Sequence, residues 1–395
     1  MRLTPRGWTF LILGLAWTAG ALAIGERDAI WPGLFLALLP VVSLLGLIPA
    51  LAVTHLERQL PVGLTQAGDP ASLILTVETP GLLPGCRGEL TEELPPSVGG
   101  SWEFNFTLEA RRRVFQLSAQ VLPHWRGRHL VGPASLRVIH PFELARVQRD
   151  LPGQSTLVVI PRVCPLPRIR DLDGGSSGIQ TPVTRVGSLG VDDALIREYR
   201  SGDDTRRIHW RSSARHGELM VRREEHAWDP AAVMLIDSRR LAYQSETNDL
   251  RFEAAVSLAA SIGSHLFAEG WGLTLADSSG ELADWTGSGH EREREFLLWL
   301  TDLEQSSVTA LSQLPDVFSS ELLVAVIGRL STADAAELAA VRRDRRHCWA
   351  VVIEGAEAIA DDALSVLRDS GWKVQPIPAD TPADRAWQSF ETSQR

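Results

Sequence analysis

"AAVMLIDS", residues 231–238, opens with an unbroken apolar run and closes on an aspartate and a serine. A short run of this kind suits a strand buried on both faces better than an amphipathic helix. The residues after it alternate regularly. Phe252, Ala255, Ala259, Ile262 and Leu266 recur at three- and four-residue steps, which predicts a helix capped by Asn248 and closed by Gly270. "WGLTLAD" (271–277) predicts a second strand and "EREREFLLWLTDL" (291–303) a second helix. "ELLVAVIG" (321–328), "CWAVVIEG" (348–355) and "WKVQPIP" (372–378) predict three more strands. Two further helices lie between them, one starting at Ser331 or Thr332 and ending in basic residues, the other closed by Gly371. Strands alternating with helices imply right-handed crossovers and a mainly parallel five-stranded sheet. Ligands of such sheets sit beyond the carboxyl ends of the strands, which singles out Asp237.

Upstream lies "REYRSGDDTRRIHWRSSARHGELMVRREE", residues 197–225, where both signs of charge are interleaved with large apolar residues. Three readings are open. Asp203, Asp204 and His209 are an acid–base set for a hydrolase, with Ser212 or Ser213 as nucleophile, although no nucleophile elbow orders them. A surface for an anionic ligand or acidic partner is the second. The third, which we favour, is an ion-paired joint between two domains. Arginine forks fix carboxylates in geometry as well as charge, and Tyr199, Ile208 and Trp210 imply that part of the segment faces a core.

Residues 56 to about 160 have a different character. "ASLILTVET", "FNFTLEA" and "VFQLSAQV" alternate apolar and polar residues between Gly- and Pro-rich turns, as in an antiparallel sandwich or small barrel. "EARRR" (109–113) is a strand end or a face toward anionic lipid. Gly132-Pro133 marks a turn, and "DLDGGSSG" (171–178) opens a linker that lacks the lysine of a phosphate loop.

At the amino terminus, no charge occurs from Trp8 to Ile24 or from Trp31 to Val53. As helices these segments, about 17 and about 23 residues, reach roughly 26 and 35 Å, close to the ~30 Å hydrocarbon core. Arg2 and Arg6 precede the first span and Arg58 follows the second, whereas the turn holds Arg27 between Glu26 and Asp28. This bias places both ends in the cytoplasm. A cleaved signal peptide fits less well, since a second span follows at once.

The formal net charge is −10, which argues against nucleic acid as a partner. Cys86, Cys164 and Cys348 have neither metal-ligand spacing nor the pattern of a disulfide framework, and fit a reduced, cytosol-facing chain. No cofactor is implied.

Two stretches carry a resemblance to the bacterial domain of unknown function 58 family. "RGRHLVGPASLRVIHPFEL" (126–144) is similar to the family's Arg-Gly, Gly-Pro and Asp-Pro-Phe-Gly-Leu pattern, with His140 for the aspartate and Glu143 for the glycine. In the second stretch the matching positions are Arg197, Glu198, Tyr199, Gly202, Asp203, Asp204, Arg206, Ile208, His209, Trp210, Ala214, Arg215, Leu219, Val221, Arg222 and Glu225. The resemblance implies a two-span anchor (1–55), a β-rich sandwich-like domain (56–160), a linker with the charged motif (161–228), a von Willebrand A-like α/β domain (229–382) and a tail (383–395). It also implies a non-enzymatic scaffold working beside a MoxR-type AAA+ ATPase. Von Willebrand A domains hold Mg²⁺ with Asp-x-Ser-x-Ser. Here Asp237 and Ser238 are followed by Arg239 and Leu241 in place of both serines, so no metal is expected. Asp237 is expected instead to accept local hydrogen bonds or to pair with an arginine.

Overall fold

The computed structural model describes residues 1–52, 55–61, 63–78, 85–109, 114–167, 196–198, 210–222, 231–243, 250–286, 291–311, 322–341, 347–354 and 361–392. The chain divides into two compact units. The first comprises residues 1–163, 245–260 and 293–305, and the second comprises the remainder.

The first unit opens with a two-residue strand, β1 (Arg2–Leu3), then helices α1 (Pro5–Ile24) and α2 (Ile30–Gly46). Thr4 caps α1 by accepting from Gly7 N–H, Pro5 follows at a position where no N–H is needed, and Gly25 closes the helix at φ 86°. A 3₁₀ turn, Ile48–Ala52, extends α2, so the apolar stretch runs over Ile30–Leu51. Both helices are long and apolar enough to cross a membrane. They pack through small residues. Gly7, Gly14 and Ala21 are the buried positions of α1; Gly33, Ala37, Pro40 and Ser43 are those of α2. A Cβ on Gly14 would strike the Ala37 backbone, and one on Gly33 would lie 2.5 Å from Thr18 Oγ1. Close backbone approach through small residues is how helices associate where lipid supplies no hydrophobic drive.

Among the described residues, the β-rich part has three sheets. Strands β2 (His55–Gln59), β4 (Ala71–Glu78) and β7 (Val114–Val121) form one antiparallel sheet, in the order β2-β4-β7. A second sheet has the order β3-β11-β8, from β3 (Thr65–Gln66), β8 (Gly127–Val131) and β11 (Ser155–Ile160). The third joins β1 to β5 (Arg87–Glu92), β6 (Trp102–Thr107), β9 (Ala134–Ile139) and β10 (Ala145–Leu151), in the order β1-β10-β9-β5-β6. Their inward residues, among them Leu73, Leu75, Leu90, Leu136 and Val159, share one core, as the period-two alternation requires. The expectation of antiparallel strands holds except for the parallel β3–β11 pair. Gly132 and Pro133 make the turn from β8 to β9.

Two arginines of this unit are internal. Arg58 had the appearance of a flanking charge, yet it is buried, with Nε 2.6 Å from Glu92 Oε1. Arg126, the arginine of the Arg-Gly pair, is also buried. It forms an ion pair with Glu253 and donates to the carbonyls of Leu300 (3.0 Å) and Leu303 (2.7 Å). Burial pushes the Glu92 and Glu253 carboxyls above their ordinary range, and the paired arginines oppose this in part.

The second unit contains a hairpin, β12 (Ile196–Glu198) with β13 (Met220–Arg222), and a short helix α3 (Trp210–His216) between them in sequence. Its main sheet is built from β14 (Ala231–Ile236), β15 (Gly272–Asp277), β16 (Leu282–Trp285), β17 (Leu322–Ile327), β18 (His347–Glu354) and β19 (Lys373–Pro378), in the order β16-β15-β14-β17-β18-β19. The strand pairings between β15 and β19 are all parallel. The sheet therefore has six strands and is mixed, which corrects the five-stranded expectation. Strand β16 runs antiparallel because it follows β15 through a tight turn at Gly280 (φ 91°), too short for a crossover.

The helices are α4 (Arg240–Tyr243), α5 (Leu250–Ala268), α6 (Arg292–Asp302), α7 (Thr332–Ala340), α8 (Asp361–Asp369) and α9 (Ala383–Thr392). The stripe of α5 is buried throughout, and Gly270 follows it at φ 86°. Helix α7 starts at a reciprocal capping box between Ser331 and Asp334. Asn248 and residues 342–346, four arginines around Asp344, lie outside the described residues. The expected tail from 383 instead begins with α9, whose Trp387 is fully buried. The Trp387 indole N–H donates to Pro167 O (3.0 Å), and its ring packs edge-on against Trp349 and His265. One large aromatic supplies enough apolar surface to dock so short a helix.

Candidate functional site

The strand order of the six-stranded sheet reverses at the β14–β17 pair, and the carboxyl ends of these strands converge there on one arginine. Arg239 leaves the end of β14 and turns back on Asp237. Its Nε is 2.9 Å from Asp237 Oδ1, and its Nη2 is 2.9 Å from Oδ2. Nη1 reaches Asp334 Oδ1 at 2.9 Å, and the carbonyls of Thr309 and Arg329 lie at 3.4 Å. The Asp237 and Arg239 side chains are almost wholly excluded from solvent.

The surroundings leave little room for rearrangement. Asp237 N–H donates to Val326 O and its carbonyl accepts from Tyr243 Oη at 2.8 Å. Ser238 N–H donates to Ser278 Oγ, and Ser238 Oγ donates to Asp277 Oδ2 at 3.1 Å. Asp277 also accepts from Ser279 and from Glu281 N–H, so it closes its own turn. Gly328 allows the close approach, since a Cβ there would lie 2.6 Å from Ala242 O.

Burial works against charge on Arg239, but the hydrogen bonds and charges of Asp237 and Asp334 outweigh it and hold its pKa above the ordinary value. For Asp334, burial again favours the neutral form. Hydrogen bonds from Ser331 and the charge of Arg239 outweigh this and hold the carboxyl below its ordinary range. Asp334 thus both caps α7 and pairs with Arg239. The capping role was legible as Ser-x-x-Asp before an apolar run. The contact with Arg239 carried no local signal, because 95 positions separate the two residues.

Chemically, this arrangement is a cation already coordinated by oxygen atoms. The guanidinium lies between two carboxylates and two carbonyls, where a hard metal ion would need the same donors. Among the described residues, no cluster of three or more His, Cys, Asp or Glu side chains is placed to hold a metal. Asp237 and Asp334 are both committed to Arg239, so neither is free to act as a general base.

The charged motif is described in part. Arg197 and Glu198 lie in β12, opposite Val221 and Met220 of β13; Arg222 pairs with Ile196. Helix α3 ends at Gly217 (φ 74°), whose N–H donates to Ser213 O, and Ser213 Oγ accepts from Met220 N–H at 2.9 Å. Ala214, Arg215 and Leu219 are exposed. Trp210 is 69% exposed. The short helix is tied to β13 through Ser213, which leaves Trp210 in its first turn outside. Tyr199, Gly202, Asp203, Asp204, Arg206, Ile208, His209 and Glu225 lie outside the described residues. So do the linker stretch 171–178 and residues 110–113 of "EARRR".

Comparison with solved structures gives low similarity. The alkylpurine DNA glycosylase AlkC of Pseudomonas fluorescens, bound to DNA containing an abasic site analogue, matches at 13% identity and a TM-score of 0.15, over 34% of this chain and 39% of that one. Cwp6 from Clostridium difficile matches at 9% identity and a TM-score of 0.16, over 86% of this chain and 39% of that one. The chain thus spans well under half the length of either protein, and neither likeness carries an argument about function. No curated protein matches the sequence. Residues 195–370, from the charged motif through helix α8, match the family described as protein of unknown function DUF58. That stretch of the chain is thus similar to the DUF58 family.

Proposed function

We propose that this protein is a membrane-anchored, non-enzymatic scaffold whose α/β domain binds protein partners, a MoxR-type AAA+ ATPase among them. The observation that carries the reading is Arg239, which fills the crevice at the carboxyl ends of β14 and β17 with a charge from the chain itself. In open α/β sheets that crevice is the ligand position. Numbered in chain order with β14 as strand 1, the order across the sheet is 3-2-1-4-5-6 with strand 3 antiparallel, which supports a von Willebrand A-like fold. Such a module with a fixed internal cation engages partners without a divalent metal. The two apolar helices support anchoring in the bilayer, and Arg2 and Arg6 before the first of them support a cytoplasmic position for both ends and the bulk of the chain.

The test is to isolate the full chain from crosslinked membranes with nucleotide present. Recovery of an AAA+ ATPase, insensitive to chelator once the crosslink has formed, is the expected result. Its absence from repeated preparations, or recovery that requires Mg²⁺ even when nucleotide is left out, removes the proposal. The hydrolase alternative centred on Asp203, Asp204 and His209 predicts loss of activity on a measured substrate in D204N and H209A.

A further inference from the structure

The outer face of the five-stranded sheet is graded in charge along its strands. The register places Arg2 opposite Arg146, Arg146 opposite Ile139, Ile139 opposite Arg87 and Arg87 opposite Thr107. Residues directly opposite one another share a face. This row crosses the whole sheet and holds three arginines, all exposed. None of the three forms an ion pair among the described residues. Two residues along, the row is Gln148, Arg137, Glu89 and Asn105, where Arg137 and Glu89 neutralise each other at 3.2 Å. Two further on, it is Asp150, Ser135, Thr91 and Glu103, with only acidic charge. At ~3.4 Å per residue the basic and acidic rows are about 14 Å apart.

The basic row lies at the end of the sheet where the chain enters α1. Arg2 precedes the Thr4 cap, and Thr4 N–H donates to Leu144 O in the turn from β9 to β10. A Cβ on Gly7 of α1 would strike Leu144 O, and Gly46 of α2 lies against His140 of the same turn. Glu143 in that turn stands at φ 56° and forms an ion pair with Arg6, so its carboxylate is already engaged. Phe142, at the tip of the turn, is 63% exposed. Arg2 directly opposite Arg146 is an unfavourable cross-strand pair unless an anion lies between them.

We infer that Arg2, Arg146 and Arg87 form a strip that binds the phosphate groups of anionic phospholipids where the helices enter the bilayer. The inference rests on the proposed membrane anchoring, which supplies the lipid at that level. The chain carries a net charge of −10, so its body is repelled by an anionic leaflet. The strip turns one edge of the sheet toward that leaflet and the acidic row away from it, which fixes the tilt of the β-rich part at the surface.

The experiment uses full-length protein and phosphatidylglycerol as the probe. Flotation with neutral phosphatidylcholine vesicles and resistance to carbonate extraction report the anchor alone. Native mass spectrometry from detergent then measures the affinity for phosphatidylglycerol relative to phosphatidylcholine. Wild type should prefer phosphatidylglycerol, and each substitution among R2Q, R87Q and R146Q should weaken that preference on the order of fivefold. E103Q, in the acidic row, should leave it unchanged. Each single variant is checked by circular dichroism, and R2Q, on the terminal strand, preserves the test if either of the others misfolds. Flotation without any lipid preference, or a preference unchanged in all folded variants, overturns the strip while leaving the anchor standing. Failure to float overturns both.

Discussion

Arg239 grips both carboxylate oxygens of Asp237 from two positions along the chain, each at 2.9 Å, in a site closed to water. A buried pair of this kind is weak evidence for net stabilisation, but removing one partner leaves an uncompensated charge. R239A is expected to destabilise the second unit by about 3–5 kcal/mol. R239K should fall between R239A and wild type, because lysine keeps the charge and loses the fork. Chemical denaturation of the solubilised chain measures both, and an R239A midpoint equal to that of wild type would refute the role given to the pair.

The same site predicts a metal response created by mutation. In R239S the carboxylates of Asp237 and Asp334 lose their cation and keep oxygen donors suited to a hard ion. Added Mg²⁺ should raise the melting temperature of R239S, and chelator should reverse the gain, with wild type indifferent to both. Equal responses from the two proteins would show that Arg239 does not stand in a cation's place.

Asp334 gives the pH dependence. Its folded-state pKa is depressed, so the unfolded chain binds the proton more tightly. The resulting stabilisation is present above the ordinary aspartate value of about 3.9 and disappears as pH falls through the lower folded value. D334N should therefore be less stable than wild type at neutral pH, with the difference shrinking on acidification. Denaturation midpoints across the acid range check the sign, and a gap that widens at low pH would contradict it.

Gly14 sets the spacing of α1 and α2, because any Cβ there meets the Ala37 backbone rather than a side chain that can move aside. G14V is expected to cost roughly 1–3 kcal/mol as overpacking, read as a lower melting temperature in detergent. G20V serves as the control, since nothing lies within 4 Å of a Cβ at that position. Similar losses in both variants would attribute the effect to helix propensity alone.

Trp387 makes α9 part of the fold. W387A should cost about 3–5 kcal/mol through the lost burial and the cavity beside Trp349. Ending the chain before Ala383 should cost at least as much. A truncated chain with an unchanged melting curve would return the segment to the status of a tail.

Much of this architecture is written in local pattern. The apolar runs at 231–236 and 322–327 announce strands buried on both faces, and the α5 stripe announces its buried side because side chains repeat every 3.6 residues in a helix. Asp237 was legible as a strand end at the ligand position. Its partner Asp334 was not, since a capping aspartate looks the same whether or not its second oxygen reaches across a sheet.

The sequence alone thus determined the five parallel strands, the helices between them and the two apolar helices. Only the tertiary structure decided that β16 turns back antiparallel, that β1 joins β10, that Arg58 is buried against Glu92, and that three arginines stand in one row. These features depend on register and on contacts between distant segments. A local pattern specifies which side of an element is buried, but not which distant residue it meets there.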